Sequence, residues 1–259
     1  MINMKTSVLI VFFLLINSQL AAQNTKKDTA NALKINTGFQ HPQAELVRRL
    51  TNHLMQQANI PLIFQVLPNQ RALINANNGE DDGEAARIFE ISKYYPNLLP
   101  TNEAIHEIDV VVVSKQQFSI PDTSDFSLFH IGTIRGMKIA ELKAANNRPK
   151  SLIKSTNIHS LLHMLDGGRI DLALVDKIGF FNAIQSIKNA NYFMYQPSLI
   201  QRDLYFHLHK KHQNLLPILN QALLNMKKDG SFEIIKAKFF NQFDQVLNKS
   251  VTIIPYEKK

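Results

Sequence analysis

The side chains best suited to polar binding chemistry fall in one stretch, residues 67–87. It contains Arg71 in a predicted short helix, an Asn78-Gly79 turn, and a unit that runs from Asp82-Gly83-Glu84 to Arg87. Loops at the ends of helices and strands can direct charged side chains outward, and such positions supply the polar groups of binding clefts. The stretch therefore predicts one wall of a cleft, and by itself it identifies no ligand.

Other residue types could in principle hold a metal ion or catalyse a reaction. His159 and His163 are four residues apart on a predicted helix, and three further histidines lie close together at 207, 209 and 212. Neither group has a carboxylate at helical spacing beyond Asp166, so we predict no metal site. The chain has no cysteine, and it contains no Gly-x-Ser-x-Gly, His-Glu-x-x-His or phosphate-loop motif. We predict no catalytic residue and no cofactor.

The first 22 residues have the pattern of a secretory signal peptide. Lys5 gives a positive start, residues 8–16 are almost wholly apolar, and small residues follow near Ala22. The apolar run is shorter than the roughly 20 residues that cross a bilayer. Without a cysteine to carry a lipid, export to the periplasm as an unanchored protein is the prediction. Leu20 is a poor residue near the cleavage site, which leaves an uncleaved anchor as the alternative.

Composition excludes some functions. With 45% hydrophobic and 19% charged residues, the chain is an ordinary globular sequence, long enough for one large or two smaller domains. Without Lys5 it has 28 basic and 21 acidic residues, a formal charge of +7. The lysines are scattered and no basic stripe is interleaved with aromatic residues, so nucleic acid is not a predicted partner.

Two series of strands and helices follow the leader. The first predicts strands at 33–37, 62–66 and 83–88, a helix after Pro42 with Leu46, Val47, Leu50 and Leu54 on one face, a short helix at 69–77, and a buried central strand at 105–113. The second predicts strands at 129–134, 151–154 and 170–175 and helices at 137–145, 158–166 and 177–187. Strands at 192–195 and 202–208 and closing helices complete the chain. Repeated strand-helix-strand units predict parallel pairing.

This order predicts two α/β lobes joined by two chain crossings, with a cleft between them. The predicted first lobe comprises residues 33–113 and 197–245, the second comprises residues 114–196, and residues 246–259 form a C-terminal tail. The closing helices would cover the sheet of the first lobe.

Several segments in this order resemble the bacterial solute-binding proteins of family 3, the polar amino-acid-binding type of periplasmic binding protein. The resemblance rests on Arg71-Ala72-Leu73 before the Gly79 turn, the valine strand, Ile131-Gly132-Thr133-Ile134-Arg135-Gly136, Leu165-Asp166-Gly167-Gly168-Arg169-Ile170-Asp171, and the helices around residues 220–240. It covers nearly the whole chain after the leader. The family implies two lobes that close on a small polar solute and deliver it to an ABC-type permease. Our hypothesis is a monomer that works by this closure without covalent chemistry.

The resemblance also implies where a solute would bind. An arginine of the first lobe holds the ligand carboxylate and an acid of the second lobe pairs with its ammonium, and Arg87 and Asp176 stand near those places. Thr133 and Arg135 lie at a helix start that could bind an anion. The remaining candidate contacts are Glu84, Arg71, Phe39 and Tyr95.

Other interpretations remain open. Arg87 could pair with Glu84 or Glu90, and Asp176 could cap a helix. The chain departs from the family at residues 38–43 and in its short link between Gly79 and Arg87, which weakens the case for a free α-amino acid. A sensor for a membrane receptor is an alternative function, and an enzyme resembling cyclohexadienyl dehydratase, using Glu84 and Arg87, is a less favoured one.

Overall fold

The computed structural model describes residues 32–120 and 125–257, so the predicted signal peptide lies outside the described residues. The strands are β1 Leu33–Thr37, β2 Leu62–Val66, β3 Gly83–Arg87, β4 Leu98–Ser114, β5 His130–Ile134, β6 Ser151–Ser155, β7 Leu172–Asp176, β8 Tyr192–His209 and β9 Val251–Pro255. The α-helices are α1 Gln43–Gln57, α2 Asn69–Asn78, α3 Lys138–Asn146, α4 Ile158–Asp166, α5 Lys177–Ile184, α6 Leu216–Lys228, α7 Ser231–Phe240 and α8 Asp244–Ser250.

Within the described residues the strands form one sheet, in the order β2-β1-β3-β8-β4-β7-β5-β6. Strand β9 lies off this path and pairs with residues 192–196 at the amino end of β8. β1 lies parallel to β2 and β3, and β5 lies parallel to β6 and β7. The long strands β4 and β8 are antiparallel to each other and belong to both groups. The two groups of parallel strands mark two lobes, and the predicted two-lobed α/β fold is confirmed.

We call residues 104–110 of β4 and 200–205 of β8 the crossing segments. They pair with each other from Ala104↔Tyr205 to Val110↔Ile200, with one irregularity after Ala104. On the first-lobe side, β3 ends beside Tyr205. On the second-lobe side, β7 ends beside Val110. The crossing segments are the only regular strands that join the two lobes within the described part of the chain.

The sequence patterns account for the core. The four residues predicted on one face of α1, Leu46, Val47, Leu50 and Leu54, are all fully buried. The four consecutive valines 110–113 are also fully buried, as expected for a strand covered on both faces. Gly79 ends α2 with φ of 79°, a left-handed conformation that glycine adopts without strain.

Three elements differ from the predicted ones. β4 begins at Leu98, because β8 supplies hydrogen-bond partners to residues 98–104, a segment with Pro100 and three polar residues and no strand-like alternation. β8 continues through Pro197, where an irregularity in its pairing with β4 accommodates the missing N–H. Residues 246–255, predicted as a tail, form most of α8 and strand β9, and β9 lies parallel to β8 in the sheet. The predicted lobe boundaries stay predictions.

Candidate functional site

The carboxyl ends of β3 and β7 meet the crossing segments from opposite lobes. Arg87 of β3 pairs with Tyr205, whereas Asp176 of β7 pairs with Val110, which in turn pairs with Ile200. The two strand ends are thus five residues apart along β8, roughly 17 Å at about 3.4 Å per residue. A separation of this size between the two strand ends leaves room for a small molecule.

Arg87 is held in the first lobe by two groups, the Glu84 carboxylate and the main-chain carbonyl of Asn69. Its Nε lies 2.5 Å from Oε1 of Glu84, and its Nη2 donates to the main-chain carbonyl of Asn69 at 3.3 Å. The Nε–H does not point at Oε1, so that contact is a close ion pair and not an aligned hydrogen bond. Gly38 donates its N–H to the same Oε1 at 3.1 Å. The Arg87 side chain is 12% exposed and that of Glu84 is fully buried.

An irregularity in the sheet brings Glu84 and Arg87 together. Residues three apart on a regular strand point to opposite faces. Here the register between β3 and β8 shifts between Glu84 and Arg87, so that the two side chains meet. Gly38 leaves the space that the guanidinium occupies, since a Cβ atom on Gly38 would lie 2.1 Å from Nη2.

A buried histidine adjoins this pair. His207 of β8 lies directly opposite Glu84 in the sheet register. Its Nδ1 is 2.9 Å from the carbonyl of Tyr205, so Nδ1 carries a proton and donates it. Burial lowers the pKa of His207 to about 4, and the charge of Arg87 adds to that effect. Burial raises the pKa of Glu84, while Arg87 opposes the shift. At neutral pH His207 is therefore uncharged.

The other first-lobe candidates have different surroundings. The ring centre of Phe39 is 6.0 Å from Cζ of Arg87, within the range of a cation–π contact. The hydroxyl of Tyr95 accepts a hydrogen bond from Nε2 of Gln70 at 3.0 Å. Arg71 is exposed on α2. The structure thus brings Phe39, Glu84 and Arg87 together, whereas Arg71 has no described contact with them.

A cavity of about 420 Å³ adjoins the end of β3. It lies against the crossing segments, and Phe89 and Tyr205 meet edge to face within its wall, with ring centres 5.3 Å apart. Its lining residues are Ile88, Phe89, Glu90, Glu107, Gln201, Arg202, Asp203 and Tyr205. The cavity is therefore polar, with three carboxylates and one guanidinium around two aromatic rings.

Asp176 ends β7 on the second-lobe side and caps helix α5. Its Oδ2 accepts a hydrogen bond from the N–H of Gly179 at 2.7 Å, which confirms the helix-capping interpretation. Burial, together with the neighbouring Asp109, raises the pKa of Asp176 to about 6 despite that hydrogen bond. Nζ of Lys177 lies 3.5 Å from Oδ2 of Asp109. The second-lobe wall is therefore acidic, with one lysine beside two aspartates.

The predicted anion site at the start of α3 is filled by the protein itself. The Thr133 hydroxyl donates to the Leu174 carbonyl at 3.2 Å, and the Arg135 N–H donates to the Ser155 carbonyl at 2.8 Å. The N–H of Gly136 donates to Oε1 of Glu141 at 2.8 Å. The side chain of Arg135 is exposed. A solute anion would have to displace the Glu141 carboxylate to reach this helix start.

Sequence reasoning did not identify several residues of the site. Gly38, Asn69 and His207 surround the Glu84–Arg87 pair, and Asp109 and Glu141 shape the second wall. Asp109 could have been noticed, because it immediately precedes the buried valine run. His207 could not have been, because only the pairing of β3 with β8 places it opposite Glu84.

The histidine groups form no metal centre in the described chain. His159 and His163 are exposed, and Nε2 of His212 lies 2.7 Å from Oδ1 of Asp82. Within residues 32–120 and 125–257, no group of three or more His, Cys, Asp or Glu side chains could hold a metal ion. In the same residues, every helix is too short or too polar to cross a membrane.

Comparison with known proteins gives no family model that matches the chain. A protein of Shewanella oneidensis, described as uncharacterized, is 25% identical over 216 residues, which cover 80% of this chain and 79% of that protein.

Solved structures match the fold at low sequence identity. A probable amino-acid ABC transporter extracellular-binding protein from Bacillus subtilis has a TM-score of 0.67 and 16% identity, covering 81% of this chain and 98% of its own. An ancestral arginine-binding protein bound to arginine has a TM-score of 0.61 and 19% identity, with the same coverage. A histidine kinase sensor domain with similarity to periplasmic binding proteins has a TM-score of 0.63 and 15% identity, covering 80% and 95%. The chain therefore has the two-lobed fold of the family 3 periplasmic solute-binding proteins.

Proposed function

We propose that this protein is a periplasmic solute-binding protein that closes its two lobes on a small polar solute bearing a carboxylate. The observation that carries the proposal is the placement of Arg87 and Asp176 at opposing strand ends, about 17 Å apart along the crossing segments. A guanidinium can hold a carboxylate through two hydrogen bonds, and an aspartate can accept from an ammonium group. The solute would then contact both lobes at once.

The crossing segments suit a closing motion. Two strands connect the lobes, and their mutual pairing is irregular at Ala104 and again beyond Val110. Hinge closure in two-domain proteins is absorbed by a few residues that change their backbone angles, and the irregular points of the crossing segments would be these residues. A solute that touches both walls favours the closed arrangement because it gains contacts there that the open arrangement lacks.

The charges of the walls favour a solute with both signs of charge. The first wall presents Arg87, and the second presents Asp176 and Asp109. Amino acids and other compounds with a carboxylate and a cationic group fit this arrangement. Named structural relatives include an arginine-binding protein and a probable amino-acid ABC transporter binding protein, which supports the same solute class and an ABC-type permease as partner.

A sensor is the second candidate, because a histidine kinase sensor domain has the same fold with a TM-score of 0.63. Both roles use the same solute-driven closure, so solute binding does not separate them. Co-purification of the solute-loaded protein with an inner-membrane permease would favour transport, and with a membrane kinase it would favour sensing.

Thermal denaturation of residues 23–259 with amino acids, small organic acids and polyamines tests the proposal. A solute at 100 times its Kd adds about 2.7 kcal/mol of stability, a rise in Tm of roughly 5–10 °C for a protein of this size. Arg87→Lys should weaken that solute at least tenfold, since lysine cannot form the bidentate pair. The matched control is Arg48→Lys, at an exposed arginine on α1. Absence of any stabilising solute, or equal affinity in both variants, would contradict the proposal.

A further inference from the structure

We propose that Glu84 and Gly38 are positioning residues, which fix Arg87 so that the Nη1–Nη2 edge of its guanidinium faces the cleft. This inference rests on the proposed function and adds the direction from which a solute carboxylate reaches Arg87. It assigns Glu84 a role through Arg87, in place of direct contact with the solute.

The contacts of the guanidinium set its orientation. Nε lies 2.5 Å from Oε1 of Glu84 in a close ion pair, and one N–H of Nη2 is directed to the Asn69 carbonyl. Among the hydrogen bonds of the described residues, none involves Nη1. Two N–H groups on Nη1 and one on Nη2 are therefore left for a carboxylate, which can accept two of them in parallel. The solute carboxylate approaches end-on, because the Glu84 carboxylate, 2.5 Å from Nε, repels a second carboxylate on that side.

The burial of Glu84 makes it unsuitable as a solute contact. Its side chain is fully buried, and the Gly38 N–H and the Arg87 guanidinium both approach its Oε1. Oε2 has no hydrogen-bond partner within the described residues. Arg87 is thus the main source of charge compensation for a desolvated carboxylate, and a buried charge is costly unless it is paired. This requirement keeps Arg87 against Glu84 even when no solute is bound.

Gly38 limits the space beside Nη2 of the guanidinium. A Cβ atom there would lie 2.1 Å from Nη2 and 2.9 Å from Cα of Asn69. No real Cβ approaches an atom that closely, so alanine at this position would push the guanidinium away from its present place. The ring of Phe39, whose centre lies 6.0 Å from Cζ, adjoins the guanidinium. Preorganisation of this kind improves affinity because the arginine loses less freedom on binding.

The orientation can be measured without a solute, by ¹⁵N NMR of the arginine Nε–H groups, with the Arg87 signal assigned from its loss in Arg87→Lys. In the unmodified protein we expect a sharp Arg87 Nε–H signal that exchanges slowly with water. In Glu84→Gln and in Gly38→Ala we expect that signal to shift and to exchange at least tenfold faster. Glu141→Gln is the matched control, since Glu141 is a buried carboxylate paired with Lys154 in the second lobe. An Arg87 signal that Glu84→Gln leaves unchanged would overturn the proposal.

The solute found by thermal screening provides the second readout. Glu84→Gln should weaken it at least tenfold while the variant keeps a cooperative unfolding transition, and unchanged affinity would overturn the positioning role. If no solute binds the unmodified protein, the proposed function fails, and the NMR comparison still decides whether Glu84 and Gly38 orient Arg87.

Discussion

Replacing Asp176 by asparagine should make the folded protein more stable at neutral pH and remove part of its pH dependence. Asp176 caps α5 through its bond to the N–H of Gly179, and asparagine is an equally good capping residue. The change therefore keeps the cap and removes only the charge. That charge is unfavourable in the folded state because burial and Asp109 raise the pKa of Asp176 from 3.8 to about 6.

The size of the effect follows from the pKa. A carboxyl group whose folded pKa is raised contributes stability below its unfolded pKa, and that contribution is lost as pH rises through the folded pKa. For a rise from 3.8 to about 6, the full contribution is about 3 kcal/mol at 1.36 kcal/mol per pKa unit. By proton linkage, about 2 kcal/mol of this unfolding free energy is lost between pH 4.5 and pH 7.5. Because the Asp176 side chain is partly exposed, these figures are upper limits.

Urea unfolding at pH 7.5 and pH 4.5 measures the difference. Asp176→Asn should exceed the unmodified protein in unfolding free energy at pH 7.5, and the gap should narrow by about 1–2 kcal/mol at pH 4.5. Asn157→Asp is the matched control, because Asn157 caps α4 in the same way from an exposed position. The control should show no such narrowing. A difference in unfolding free energy that is the same at both pH values would refute the argument that the Asp176 charge is unfavourable in the folded state.

Two further predictions concern buried polar groups. The unmodified protein should lose stability on acidification, because the pKa of His207 is lowered to about 4 in the folded state and the unfolded chain binds the proton more tightly. In urea unfolding, His207→Gln should reduce this loss between pH 7 and pH 5 by about 2 kcal/mol. An unfolding free energy that falls equally in both proteins would contradict this. Tyr192→Phe should cost about 1–2 kcal/mol in the same assay, since the Tyr192 hydroxyl donates to the carboxylate of Asp166 at 3.0 Å, and a loss below about 0.3 kcal/mol would show that water replaces the bond.

Much of the fold follows from local patterns in the sequence. The apolar face of α1, the valines at 110–113 and the Asn157 cap of α4 all depend on residues close together in the chain. Such signals are readable because helix and strand periodicity and capping are local. The extra length of β4 and β8 is not local, because each strand extends where the other provides partners.

The site is less predictable than the fold for the same reason. The positions of Arg87 and Asp176 at strand ends follow from element order, but their partners do not. The contact of Arg87 with Glu84 depends on a register shift in β3. The electrostatic effect of Asp109 on Asp176 depends on the pairing of β7 with β4. The roles of these residues in solute binding stay predictions until affinity is measured.

The sharing of β4 and β8 between the lobes has a consequence for folding. The first lobe needs the carboxyl half of β8 beside β3, and the second needs its amino half between β4 and β9. Both groups of strands need a half of β8, so neither group can be completed before β8 has been synthesised. Pairings between strands so far apart in sequence form slowly. A newly made chain will therefore spend time with open sheet edges, when chaperone binding or aggregation competes with folding.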